Sequence, residues 1–284
     1  MNFNVDRERL RRNLQTIVGE RSPFGDRRHL SAIENFVEAE FAAYGMDVAR
    51  DSFPYLDETF HNIIGRFPAA RRERQIIVGA HLDSVVDTPG ADDNASGVAV
   101  LLEVARLLSQ VRLNSEILLC AFNLEELDMI GSSAFARKLK ATGAGVEAMI
   151  SLEMVGYTDS RRGSQKLPVG LGPFYPDRGD FIGIIGNWKS KKLLGKLSAA
   201  MCQVADLPVE TLCVPGNGRV IPAVRLSDHA PFWDLGYPAV MITDTSFYRN
   251  PHYHGPTDTL ETLNIDFMAK VCEGVARGLM ALQA

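Results

Sequence analysis

Cysteine is scarce in this chain, with four residues in 284 at positions 120, 202, 213 and 272 and no Cys-x-x-Cys spacing among them. That scarcity argues against a disulfide framework or a thiolate zinc cluster. Cys120 and Cys272 lie inside apolar runs as buried thiols do, and a Cys202–Cys213 pair is disfavoured in a reducing compartment. Long apolar runs are also missing. Nowhere do eighteen consecutive apolar residues occur, and the Arg-rich segment after Met1 has no apolar core, so neither a membrane span nor export is indicated and the expected address is cytoplasmic. Net basic charge is absent. The formal charge of −5 and pI near 5.7 argue against a nucleic-acid or anionic-membrane partner, which would need a basic face. Two short basic clusters, Arg71-Arg72-Glu73-Arg74 and Lys189-Ser190-Lys191-Lys192, read as solvated surface. There is no Gly-x-Ser-x-Gly elbow for a nucleophilic serine, no repeat, and no Pro/Gly/Ser linker. The expectation is one domain over residues 1–284.

What is present is an alternation of strand-like and helix-like segments. Apolar residues at helical spacing mark helices near Val5–Val18 and Arg28–Tyr44, and strands are expected at Val48–Phe53, Phe60–Phe67 and Gln75–Ala80. A helix from Asp93 to about Ser109 follows, then strand Glu116–Phe122, helix Ser132–Lys140 and strand Val146–Leu152. Further on come strand Phe181–Ile185, helix Lys191–Ala205, strand Ala239–Thr243 and a closing amphipathic helix Ile265–Leu282. This order predicts an α/β fold, a three-layer α/β/α sandwich with a mostly parallel, mixed central sheet whose ligands gather at the carboxyl ends of the strands. Tyr157–Asp180 and Val214–Arg225 are expected to be pocket-lining excursions, the first being too long for an ordinary connection.

The chemistry centres on Ile76 to Gly97. An apolar strand ends at Gly79-Ala80-His81, and Asp93-Asn94-Ala95-Ser96-Gly97 opens a helical pattern, so His81 and Asp93 arrive at one rim. Residues two apart on extended chain share a face, which predicts that Asp83 accepts the second imidazole N–H and fixes the tautomer a metal needs. Strand Ile117–Phe122 runs into Glu125-Glu126, whose side chains point in different directions, so one can bind a metal while the other reaches a water. Another strand ends at Glu153, and Pro251-His252-Tyr253-His254-Gly255-Pro256 offers imidazoles on a rigid turn. His81, Asp93, Glu126, Glu153 and His254 exceed what one catalytic zinc requires. Their carboxylate and imidazole chemistry suits two zinc ions sharing a carboxylate, with manganese or cobalt as alternatives.

These ordered motifs, Gly-Ala-His-Leu-Asp-Ser, Gly-Ala-Asp-Asp-Asn-Ala-Ser-Gly, Glu-Glu with Ile-Gly-Ser, Ser-Asp-His-Ala-Pro-Phe and Tyr-His before Asp-Thr, span Ile76 to Glu261. The chain resembles the co-catalytic zinc exopeptidases of metallopeptidase family 28, which include leucyl aminopeptidases, aminopeptidase Y, glutamate carboxypeptidase II and, more distantly, glutaminyl cyclase. The resemblance implies that His81 and Glu153 hold one zinc, that Glu126 and His254 hold the other, and that Asp93 bridges. It further implies Glu125 as general base, Tyr253 as a donor to the oxyanion, and a cis Asp93–Asn94 peptide. The family's aminopeptidases often carry aspartate where this chain has Glu153, which bears on the contact with a substrate amine. The implied activity is a zinc-dependent exopeptidase on peptides or small amides, with aminopeptidase action expected ahead of carboxypeptidase, small-amide hydrolase or glutaminyl cyclase-like acyl transfer. In the Ser227-Asp228-His229 run, Asp228 is expected to cap a helix and His229 to line or support the pocket. Arg225, Arg249 and Arg219 are the cations a carboxypeptidase could turn on a substrate carboxylate.

Overall fold

The computed structural model describes residues 3–69 and 71–283, with side chains of 71–73 outside the described set. The basic cluster at 71–74 therefore lies largely outside the described residues, while Lys189, Lys191 and Lys192 are exposed. Two helices come first, α1 (Arg7–Ile17) and α2 (Arg27–Ala43). Asp6 and Asp26 cap them by accepting the Arg9 and His29 N–H groups at 3.0 Å each, satisfying donors that a helix start leaves free. Strands β1 (Asp47–Tyr55), β2 (Glu58–Phe67) and β3 (Arg71–His81) follow, then α3 (Gly97–Leu108), β4 (Ser115–Phe122), α4 (Ile130–Thr142) and β5 (Val146–Glu153). The second half contributes β6 (Ile182–Asn187), α5 (Lys191–Met201), β7 (Val209–Val214), α6 (His229–Asp234), β8 (Ala239–Thr243) and α7 (Ile265–Leu282).

The strands form one sheet in the order β1-β2-β4-β3-β5-β8-β6-β7. Its centre, β4-β3-β5-β8, is parallel; β1, β2 and β6 run antiparallel to a neighbour, and β7 runs parallel to β6 at the edge. The central strands are apolar on both faces, as strands covered by helices must be. Ile76, Val78, Ile117 and Ile150 pack under α1, α2, α3, α5 and α7, whereas Ile77, Leu118 and Met149 pack under α4 and α6. The expected α/β sandwich is the observed one.

Two local differences from the expectation have physical causes. The helix expected from Asp93 becomes regular only at Gly97, because Ala91–Ser96 forms a wide turn with Asp93 at φ −103°, ψ 91°. Gly97 is needed there, since a Cβ would sit 2.3 Å from Asn94 Oδ1. Strand β7 went unread because Val209–Val214 is a half-exposed edge strand between prolines, without alternation of apolar and polar residues. Tyr157–Asp180 is an irregular excursion, as expected, with a short 3₁₀ turn at Gly172–Phe174 and a bridge between Asp159 and Gly179. All four cysteines are free thiols, Cys120 and Cys272 buried. None of the described helices is long and apolar enough to cross a membrane.

Candidate active site

The site forms where β3, β4, β5 and β8 end together. His81 is the last residue of β3 and Glu153 the last of β5, so the sheet itself aims both side chains at the rim. Asp93 arrives from the wide turn, Glu125 and Glu126 from the turn after β4, and His254 from the Pro251–Pro256 turn at φ 54°. His81 Nε2 lies 3.2 Å from Asp93 Oδ1 and 3.6 Å from Glu153 Oε2. His254 Nε2 lies 3.1 Å from Asp93 Oδ2 and 3.2 Å from Glu126 Oε2. The five side chains thus divide into two groups, His81, Asp93 and Glu153 beside Asp93, Glu126 and His254, in each of which the ligand atoms lie within 4.8 Å of one another. Asp93 belongs to both. Glu125 belongs to neither, and its Oε2 stands 3.8 Å from His81 Nε2.

The electrostatics are those of a centre built for cations. Burial depresses the His81 imidazole, but the carboxylates of Glu125, Glu153, Asp83 and Asp93 outweigh burial and lift it well above its usual range. His254, more open, is carried to about 10 against burial by Asp93 and Glu126. Burial would raise Asp93, yet its hydrogen bonds to the two imidazoles hold it below the ordinary carboxylate range. Burial raises Glu125 well above normal and Glu126 to about 7. His81 Nε2 and Glu126 Oε1 are buried without a hydrogen-bond partner. Unpaired buried polar atoms are costly, and two of them facing a set of imidazole and carboxylate donors fit divalent metal.

Surrounding residues hold the donors in place. The expectation for Asp83 is corrected in detail. Its main-chain carbonyl, at 3.1 Å, is what pairs with His81 Nδ1, while its carboxylate oxygen is 3.7 Å away. The chain leaves extended geometry after His81, so the two side chains no longer share a face. The Asp83 carboxylate instead accepts the N–H groups of Glu125 (3.0 Å) and Glu126 (3.1 Å), fixing the pair's backbone. Ser227 donates to Glu153 Oε2 at 2.8 Å, with Ser151 2.8 Å behind it. Asp258 accepts the N–H groups of Asp92 and Asp93 at 2.9 and 3.1 Å. Arg21, fully buried, donates to the carbonyls of Leu82, Pro89 and Gly90 and so ties the His81 and Asp93 segments together. Sequence reasoning passed over Ser227, Asp258 and Arg21. The first two lay inside quoted motifs, and Arg21 carried no local signal.

The Asp93–Asn94 peptide is cis. Asp228 opens α6 but makes no side-chain capping bond, and burial raises its carboxyl to about 7. His229 does not line the cavity; it is buried, bonded through Nε2 to the Val224 carbonyl at 2.9 Å and packed edge-on against Trp233 at 4.3 Å. Arg225 pairs with Asp234 at 2.7 Å, and Arg249 is buried beneath the loops, donating to Gln165 and the Phe181 carbonyl. Arg219 is exposed and outside the cavity lining. Tyr253 stacks on His254 with ring centres 3.7 Å apart, and burial followed by the nearby carboxylates keeps its phenol protonated. A cavity of about 350 Å³ opens from these residues beneath Leu167, Leu171 and Tyr175 of the excursion and beside Val224.

The family model for Peptidase family M28 matches residues 62–278, most of the chain and every residue of the two donor groups. The chain belongs to peptidase family M28. Within reach of this M28 peptidase is the uncharacterized protein YfbL of Escherichia coli, 40% identical over 261 residues, covering 87% of this chain and 79% of YfbL. Leucine aminopeptidase 1 of Fusarium vanettenii is 26% identical over 240 residues, and the chain spans about half of that relative's length (54%). Among solved structures, Legionella pneumophila LapA aminopeptidase superposes with a TM-score of 0.78 at 20% identity, over 98% of this chain and 71% of LapA. A glutaminyl cyclase from Porphyromonas gingivalis reaches 0.71 at 20% identity, over 98% of each chain. At such identities the likeness shows a common fold, and the M28 peptidase's chemistry has to be argued from its own side chains.

Proposed function

We propose that this M28 peptidase is a two-metal aminopeptidase that releases N-terminal residues from peptides. The observation that carries the reading is the pair of donor groups sharing Asp93, with Glu125 beside them but in neither. His81 and Glu153 would hold one zinc ion, Glu126 and His254 the other, with Asp93 common to both. When bound, such a pair polarises a peptide carbonyl and makes water acidic enough to attack near neutral pH. The chain's own residues supply the rest. Glu125 accepts a proton from the attacking water and returns it to the leaving amine nitrogen, a task for which a desolvated carboxylate is suited. Tyr253 donates its hydroxyl hydrogen to the developing oxyanion. Asp83 keeps Glu125 and Glu126 in register through their N–H groups.

Charge supports this direction of attack. Asp93, Glu125, Glu126 and Glu153 face the cavity and suit a free ammonium, whereas the arginines that a carboxylate-binding pocket would use are engaged elsewhere or lie outside it. Retention of both His81 and Glu153 supports two metal positions and disfavours a one-metal cyclase. The test is a panel of aminoacyl, N-acetylated and C-terminal dipeptide substrates with added zinc. Cleavage confined to substrates with a free amine is expected; equal cleavage of the acetylated ones would overturn the assignment of direction.

A further inference from the structure

The floor of the cavity is set by strand register. Glu153 of β5 pairs with Thr243 of β8, Thr243 with Gly183 of β6, and Gly183 with Glu210 of β7. Partners in a register share a face, so these four residues form one row across the sheet from the metal site to its edge. Three steps of about 4.8 Å put Glu210 about 14 Å from Glu153 between Cα atoms. The space between is kept low. Gly183 has no side chain, and a Cβ there would meet nothing closer than the Thr243 carbonyl oxygen at 3.3 Å. The next row in, Met241, Ile185 and Leu212, is apolar and also lines the cavity.

Glu210 is half-buried at the end of this row. Among the described residues it has no hydrogen bond and no cation within ion-pair distance, although burial makes an unpaired carboxylate costly. We infer that Glu210 is the specificity determinant of this pocket and selects substrates whose first residue is lysine or arginine. The inference rests on the aminopeptidase reading. With the substrate amine at the Glu153 end, a Glu210 side chain turned back along the row by about 4 Å would leave a gap of about 10 Å. An extended lysine spans about 7 Å from its α-amine to Nζ, and a hydrogen bond of about 3 Å closes the rest. A leucine side chain ends far short and leaves Glu210 unpaired. The apolar row beneath suits the methylene stem of a lysine or arginine, which packs while its charged head finds a partner. The only lysine or arginine lining the cavity among the described residues, Lys166, is exposed and screened by solvent.

The experiment compares kcat/KM for lysyl, norleucyl and leucyl anilides, norleucine having the lysine stem without its charge. Wild type is expected to favour lysyl over norleucyl by about tenfold or more, the size of one charge-assisted hydrogen bond. Glu210→Gln should bring the ratio near one, and Glu210→Lys should turn preference toward glutamyl anilide. A lysyl-to-norleucyl ratio near one in wild type, or a ratio that Glu210→Gln leaves unmoved, overturns the role of Glu210 while leaving aminopeptidase action intact. No cleavage of any anilide, or equal cleavage of acetylated ones, removes the aminopeptidase reading and this inference with it. Independently of the variants, L-lysinamide should raise the melting temperature of the zinc-loaded wild type more than L-norleucinamide does. Equal shifts would count against Glu210.

Discussion

The two donor groups that share Asp93 differ chiefly at their histidines. His81 is wholly buried and the Glu153 side chain is 9% exposed, whereas His254 is 36% exposed and Glu126 11%. The first half is made from the ends of β3 and β5, in the middle of the sheet. The second is made from two turns. Burial strengthens every interaction of the first half and raises the cost of leaving it unpaired, so that half doubles as a piece of the core. The exposed half is where substrate and solvent meet the centre.

The largest expected effect tests whether the halves act as one machine. Glu125→Gln removes a proton acceptor that belongs to neither group, so both metals should stay, by elemental analysis, while kcat falls about 10²- to 10⁴-fold. Turnover near wild type would take Glu125 out of the mechanism. A second test separates the halves by stability in urea, without metal. His81→Ala strands buried carboxylates and should cost about 3 kcal/mol, while His254→Ala, whose ion pairs are partly screened by solvent, should cost less. Equal losses would break the contrast.

A smaller effect is expected from pH. In the metal-free protein the folded His254 imidazole is raised to about 10 from an ordinary 6.5. Such a group contributes stability fully below about pH 6.5 and loses it as pH rises through about 10. Melting temperature with chelator present should therefore decline across that window, and His254→Ala should flatten the decline. The same proton must leave before His254 can bind metal, so loading of the exposed half should improve over the same range. The smallest effect concerns the buried half. Ser227→Ala removes the hydroxyl that steadies Glu153 and should weaken zinc affinity about tenfold, read by competition with a chromogenic chelator. An unchanged affinity would make Ser227 a packing residue only.

The contrast also explains what could be read from residues alone. His81 and Glu153 close apolar strands, and a polar residue ending an apolar run is visible without coordinates. Glu126 and His254 stood out through motif chemistry rather than through any pattern of their turns. What stayed hidden was long-range. Arg21 reaches the carbonyls of Pro89 and Gly90 across nearly seventy positions, and no local periodicity encodes that meeting. Asp83 was placed correctly but given the wrong partner, because alternation holds only while the strand continues. Edge strand β7 lacked the two-sided apolar signature that burial imposes on β3 and β5, so the row ending at Glu210 became visible only with the register.

The Asp258 carboxylate grips the backbone of Asp92 and Asp93 from more than 160 positions downstream. A nascent chain that has emerged only as far as Asn250 lacks this clamp together with His254, although the strands that carry His81 and Glu153 are already made. The donor set is thus completed only by the late segment that carries His254 and Asp258, and a chain cut at Asn250 would lose the core helix α7 along with them.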